Sequence, residues 1–521
     1  MLKKMLMLFI AVALVLAGCG SSDKSASNAG SNSGSSVNTG SINTGSTDEA
    51  QEENDASNLP PYEIVIAFPT SSSQTSGIPE VEQAINEITK KKINATIKLM
   101  PYSYASYAQQ LNLMFASNEK LDLFVSGVNG AYSSQVAQGS MIPLDDLLEK
   151  YGSGIKEAVY APFIEAARMN GKLYGIPSNR DLAADRELLM RKDIVDKYHI
   201  DLSQVKTFED FGQIFKVVKE NEPDLIPLVL FTQISTPVDV IASMYFDILG
   251  DRMGVLEYGN SEMKVVNMYE TEQYAQLLNT VRSWYEKGYV QKDAATTKDT
   301  GPVLVQAGRA FSYIKQSKPG SDTQASRQTG YEMVSLKLPP AYSTTNLITQ
   351  FLWSIAKNSQ DPERAMMFLN LMFTDTDIIN LLAWGIEGRD YVKVSGNIID
   401  YPEGVNATNV PYGLNQGWLF GNQFKSYVFK GDPEDIYQQT DQFNKEAVKS
   451  PALGFTFDST PVKSEVASVT NVMNQYRLGL ETGSLDPETL LPQYFSEMKK
   501  AGIDRIIEEK QRQLDEWVKT K

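Results

Sequence analysis

The sequence predicts an α/β protein built as two lobes with a helix-rich C-terminal part, and three observations point there. Short β-rich runs alternate with helix-spaced segments between residues 63 and 125, the pattern of a parallel sheet with helices on its faces. The rhythm restarts beyond residue 180 with different contents, and helical spacing dominates from residue 271 onward. At 521 residues and 42% hydrophobic composition the chain can bury more than one full core, and one sheet seldom absorbs so many units.

The N-terminal segment precedes that fold. Lys3 and Lys4 form a positive n-region, and Leu6 to Leu16 is an apolar run of 11 residues, the length of a signal-peptide core and too short to cross a bilayer as a helix. Leu16-Ala17-Gly18-Cys19 follows directly and resembles the bacterial lipobox, which implies that Cys19, the only cysteine, becomes the N-terminus and is thioether-linked to diacylglycerol. From Gly20 to about Asn58 the chain reads as a tether: 20 of the 26 residues from Ser21 to Ser46 are Ser, Asn, Gly or Thr, too polar to order themselves by burial. No later segment is long and apolar enough to span a bilayer, so the acyl anchor is the expected membrane attachment.

In the body, Glu63 to Phe68 reads as a strand, and Ile78 to Lys92 as a helix with Val81, Ile85 and Ile88 on one face. A strand from Ala95 to Met100, a helix from Tyr104 to Ser117 and a strand from Leu121 to Val125 follow. Ligands of such sheets bind beyond the carboxyl ends of the strands, which directs attention to Pro69 to Gly77 and Ser126 to Tyr132. Further on, a strand at Glu187 to Arg191 and a helix at 193–198 precede Thr207-Phe208-Glu209-Asp210, a capping-box arrangement for a helix reaching about Glu220. Pro227 to Phe231 reads as another buried strand. Helices are expected at Thr271 to Lys287, Asp361 to Phe373, Ser459 to Leu480 and about Asp504 to Lys519.

Composition excludes several function classes. With 48 Lys plus Arg against 64 Asp plus Glu, a net charge of -16 opposes binding to nucleic acid. One His and one Cys leave no His-based triad, Cys-His nucleophile, zinc site or internal disulfide. No cofactor and no metal site is implied.

Asn170-Gly171-Lys172-Leu173-Tyr174-Gly175-Ile176-Pro177, followed by Leu188 to Tyr198 and by Lys206 to Phe211, resembles the motif order of extracellular solute-binding proteins of ABC importers. Asp361-Pro362-Glu363-Arg364-Ala365 with Phe368-Leu369 resembles a helix of the same family. Trp384 to Val392, Gly454 to Asp458 leading into Val462 to Tyr476, and Gly502 to Trp517 are similar to the large lipoprotein members of Gram-positive bacteria, associated mostly with oligosaccharide import. The resemblance implies the two-lobe periplasmic-binding-protein fold of type II, the venus flytrap, acting as a monomer. The solute sits in the interlobe cleft and passes to the transmembrane subunits of an ABC permease. It divides the chain into signal peptide 1–18, lipidated tether 19–58, a first lobe at 59–178 with a return at 336–400, and a second lobe at 179–335 completed, with the C-terminal helices, by 401–521.

A sugar presents flat C–H faces and a ring of hydroxyls, so its cleft wants aromatic planes and fixed planar donors and acceptors. The resemblance selects positions. Ser126, Asn129 and Tyr132 follow the third strand, as cleft residues or as a plain loop. Arg180 and Asp181 follow Gly-Ile-Pro at the first crossing, to clamp vicinal hydroxyls or to hold the hinge. Phe231 and Gln233 end a strand, Phe311 and Tyr313 lie at a similar lobe edge, and Trp418 stands in a Gly-rich loop as a stacking platform. Phe457 and Asp458 precede a helix, where Asp458 is either ligand or cap. Trp284, Trp353 and Trp517 read as core, Glu387 to Asp390 as a structural turn, and His199 as a helix end without chemistry. The absence of a clustered acidic or basic motif points to a neutral oligosaccharide. A surface glycoside hydrolase, needing only two carboxylates, and a ligand-presenting lipoprotein for a membrane sensor are the alternatives.

Overall fold

The computed structural model describes residues 59–521 except Ile234, Asn260 and Ser261; the signal peptide, Cys19 and the tether lie outside the described residues. Strands β1 (Tyr62–Thr70), β2 (Ala95–Ser103) and β3 (Leu123–Ser126) run parallel, joined by helices α1 (Ile78–Ile93) and α2 (Tyr104–Ser117). Ile64 to Phe68 are buried consecutively, as a parallel strand covered on both faces requires. Helix α1 buries Val81 and Ile85 one turn apart and stops at Asn94, whose φ of 44° breaks the helix. Helix α2 is capped by Ser103, whose hydroxyl accepts the Ser106 amide at 3.2 Å. The sheet order is β2, β1, β3, then Leu352–Ile355 antiparallel to β3, then Ile176–Pro177.

A second five-stranded sheet runs Val448–Lys449, Met333–Ser343, Ala184–Arg191, Ala310–Ser317, Ile226–Leu230. The sequence predicts two of these strands, as Glu187 to Arg191 and Pro227 to Phe231, and misses the other three. Ala310–Ser317 lies between those two, antiparallel to one and parallel to the other. Phe311 lies in the main core of this lobe, while Tyr313 belongs to a small cluster with Leu304 and Val305. The capping box forms as expected: Thr207 Oγ1 accepts the Asp210 amide at 3.4 Å, and the Asp210 carboxylate accepts the Thr207 amide at 2.9 Å. The helix it opens covers Phe211–Asn221.

The first core draws on residues 64–182 and 348–420, the second on 188–338 and 452–514. The boundary expected at 336 falls near 344, because Met333–Ser343 pairs with Ala184–Arg191 up to Tyr342. The boundary expected at 401 also moves: Tyr412, Leu414, Leu419 and Phe420 pack into the first core, so that lobe continues past residue 400. Segments near 178–183, 344–351 and 436–450 pass between the lobes. Asn444, buried in the third, laces it to the first: its Oδ1 accepts the Leu182 amide at 2.8 Å and its Nδ2 donates to the Arg180 carbonyl at 2.6 Å. Among the described residues no single helix is long and apolar enough to cross a membrane.

Candidate ligand-binding cleft

The interlobe boundary holds three hollows that share walls. The first, about 570 Å³, lies between the second lobe's helix Ser321–Thr329 and an aromatic wall of Trp384, Tyr401, Trp418, Phe429 and Tyr437. The second, about 470 Å³, is lined by Arg180 and Gln350 on the crossings and by Phe231, Arg252 and Lys315 of the second lobe; it shares Asp181 and Lys318 with the first. The third, about 230 Å³, shares Gln350 with the second and reaches Tyr132 on one side and Asp247 and Phe457 on the other. A further hollow of about 360 Å³ is formed by the first lobe alone, from Thr70 to Ser73 and Tyr104. The loops beyond β3 and beyond Ile226–Leu230 and Ala310–Ser317 therefore meet at the cleft, as parallel sheets dictate.

Arg180 stands where these walls join. Its Nη1 donates to the Asp181 carbonyl at 2.7 Å and its Nη2 to the Leu347 carbonyl at 3.4 Å. The guanidinium lies 5.6 Å from the Trp418 ring and 5.9 Å from that of Phe351, within cation–π range. Trp418 packs edge-on against Phe351 at 5.0 Å, and Phe351 against Tyr104 at 6.4 Å. Burial lowers the Arg180 pKa against the opposing pull of Asp181, and a guanidinium remains charged through such a shift. For Asp181, burial alone would raise the pKa, but Lys318 at 3.4 Å and Arg180 at 3.8 Å hold it below the usual carboxylate range.

The expected site residues separate into two groups. Arg180, Asp181, Phe231 and Trp418 line the first or second hollow. Tyr132 and Phe457 line the third, though both are mostly buried, and the Tyr132 hydroxyl donates to the Ala167 carbonyl at 2.5 Å. The remaining positions are placed elsewhere. Ser126 is fully buried, because β3 continues to this residue and pairs it with Leu352; its hydroxyl meets Ser354 Oγ at 2.8 Å. Phe311 and Tyr313 are core residues of a central strand, not a lobe edge, although Tyr313 backs Phe231 with ring centroids 5.6 Å apart. Asn129 is exposed in a tight turn with φ 56°. Gln233 is exposed and donates to the Lys298 carbonyl at 2.8 Å. Asp458 takes neither expected role: it lines none of the three hollows, and it accepts the Thr460 amide at 3.0 Å one residue before the cap position Ser459.

The other readings resolve similarly. Trp353 is buried with Nε1 donating to the Leu419 carbonyl at 2.6 Å, and Trp284 is buried against Phe208 and Phe215. Trp517 is half-buried on Phe455. In the Glu387 to Asp390 turn, Gly388 has φ 83° and buried Asp390 accepts the amides of Ile386 at 2.8 Å and Tyr412 at 3.2 Å. His199 follows the helix Lys192–Lys197 with φ 50°.

Sequence reasoning missed Trp384, Tyr401, Phe429 and Tyr437 of the aromatic wall and Lys315 and Lys318 of the second hollow. Trp384 had a signal, since it ends a helix immediately before Gly385 at φ 84°. The two lysines sit at the carboxyl end of a strand and would follow from recognising Ala310–Ser317 as one.

Two α/β lobes joined by crossing segments around a cleft of aromatic rings and planar polar groups define a solute-binding receptor. The chain belongs to the bacterial extracellular solute-binding protein family, whose model matches residues 83–385. Residues 451–519 match a second model, a domain of unknown function. A carbohydrate ABC transporter substrate-binding protein of Streptococcus pneumoniae serotype 4 is 26% identical over 486 residues, covering 92% of this chain and 94% of the relative. The polygalacturonan/rhamnogalacturonan-binding protein YtcQ of Bacillus subtilis is 24% identical over 237 residues, 43% of this chain and 47% of that protein. Among solved structures, the N-glycan transport solute binding protein NgtS of Streptococcus pneumoniae superposes with a TM-score of 0.78 at 25% identity, covering 88% of this chain and 99% of that one.

Proposed function

We propose that this chain is a lipid-anchored receptor of an ABC importer that captures an oligosaccharide between its lobes and delivers it to the membrane permease. The observation that carries this is the aromatic wall facing the cleft, with Trp418 set against Arg180. Rings of this kind hold sugar faces, while Arg180, Asp181 and Gln350 offer fixed donors and acceptors for hydroxyls. The match to a carbohydrate ABC transporter substrate-binding protein over 92% of the chain supports the same reading. The signal-peptide core and lipobox support export and attachment through Cys19. The named relatives take N-glycans and polygalacturonan or rhamnogalacturonan, so membership alone leaves the sugar class open.

Binding acts through hinge closure: the ligand adds contacts available only when both lobes reach it, and so shifts the population toward the closed form. The test is thermal shift of the purified protein against an oligosaccharide panel, with amino acids, peptides and polyamines as controls. A sugar at about a hundred times its Kd adds about 2.7 kcal/mol to stability. Stabilisation by one oligosaccharide class, with the sugar recovered intact, is the expected outcome. Cleavage of the sugar would move the protein to the glycoside hydrolases, and a response confined to the controls would remove the carbohydrate assignment.

A further inference from the structure

In place of the neutral sugar expected from the sequence, we propose that the second hollow is an anion site and that the oligosaccharide places a carboxylate-bearing sugar unit there. This rests on the oligosaccharide reading above and specifies its chemistry. The chain carries a net charge of -16, yet four cationic side chains, Arg180, Arg252, Lys315 and Lys318, line this one hollow with two carboxylates, Asp181 and Asp239. Arg252 and Asp239 form a direct ion pair and cancel. Asp181 is shared between Lys318 at 3.4 Å and Arg180 at 3.8 Å. Among the described residues Lys315 has one ion-pair partner, Glu187 at 3.8 Å, with Asp181 adding a weaker attraction, and the Glu187 carboxylate lies fully buried, already accepting the hydroxyls of Ser317 and Ser321. Three cations therefore face two carboxylates, none at the 2.7–2.9 Å of a well-formed charged hydrogen bond.

An entering carboxylate balances this charge and offers the short bonds that the resident acids do not supply. Burial and the neighbouring Lys318 both disfavour the protonated Lys315, against the pull of Glu187 and Asp181, so a ligand anion here relieves an existing repulsion. The setting also suits a sugar ring. Phe231, half-buried and stacked on Tyr313, lies with its ring centroid 5.7 Å from Lys315 Nζ. A pyranose laid on that ring brings an exocyclic carboxylate toward the ammonium group. The first hollow differs: Lys318 and Arg327 there meet Asp181 and Asp432, and Arg327 grips Asp432 through two bonds of 2.7 and 3.1 Å. Its balanced charge and aromatic wall suit neutral units of the same oligosaccharide.

The test is calorimetric titration of the purified protein with uronic-acid oligosaccharides of several stereochemistries, each paired with its methyl-esterified, neutral form. One acidic oligosaccharide should bind with at least about tenfold higher affinity than its ester, the value of one charge-assisted hydrogen bond. Its affinity should fall as NaCl rises from about 20 to about 500 mM. Lys318→Gln, at a partly exposed position where folding is preserved, should cost about tenfold for the acidic form and little for the ester; Lys315→Met is the second variant, with melting curves verifying its fold. Equal binding of acid and ester, or affinity unchanged in both variants, would overturn the anion site while leaving the sugar receptor intact. Binding of no sugar of either kind would overturn the oligosaccharide reading, and this one with it.

Discussion

Arg180 ties two crossing segments together through the carbonyls of Asp181 and Leu347 and keeps its guanidinium toward Trp418. A ring so placed is held by its neighbours before any sugar arrives, so Trp418→Ala should weaken oligosaccharide binding by about tenfold or more, measured by calorimetry. Ser126→Ala serves as its contrast, costing about 1 kcal/mol through the lost Ser354 contact with affinity unchanged. Asp185 offers a pH test. It is buried with Oδ1 unpartnered, and burial, with Glu187 nearby, pushes its pKa up to about 6 against Lys337 and Arg186. Between the ordinary carboxylate value and about 6, the folded protein holds this proton more tightly than the unfolded chain, so this residue's contribution to stability falls as pH rises through that window. Asp185→Asn should therefore raise Tm more at about pH 7.5 than at about pH 4, and a gain independent of pH would reject the shift. Legibility at this scale was uneven. Trp418, read from its Gly-rich loop, lines the first hollow, whereas Ser126, Phe311 and Tyr313 lie away from it because each sits inside a strand whose partners come from distant sequence.

The elements that the sequence reveals are those whose signals are local. Helix α1 shows one apolar face and an Asn stop, and the helix Phe211–Asn221 shows its capping box. Asp210→Ala should cost about 1 kcal/mol and raise amide exchange in the first turn before it affects the rest of the lobe. The strand Met333–Ser343 escaped because only Met333, Leu338, Tyr342 and Ser343 are buried, without regular alternation, and because Pro339 and Pro340 read as breakers. Ala310–Ser317 escaped for the opposite reason: its first five residues are all buried, a short run that periodicity cannot distinguish from a core helix segment.

Across the whole described body, two lobes and the family's motif order were legible, but the cleft was not, since residues as far apart as Arg180 and Phe429 build its walls. The Arg327 and Asp432 pair joins the second lobe's helix Ser321–Thr329 to a loop that follows Phe429, which packs on Trp384 of the first lobe. Arg327→Ala should shift the ligand-free protein toward separated lobes, seen as a larger radius of gyration in X-ray scattering that saturating oligosaccharide reverses; an unchanged radius would exclude the pair as a latch. The first sheet carries one more consequence. β3 pairs with β1 along one edge, but its other edge is covered only by Leu352–Ile355, and Ser126 reaches Leu352 across 226 positions of sequence. A chain made from its N-terminus must keep that strand edge open while residues 188–338, the larger part of the second lobe's core, are synthesised. Folding ordered by such distant pairing is slow, which lengthens the time this chain spends with an open strand edge.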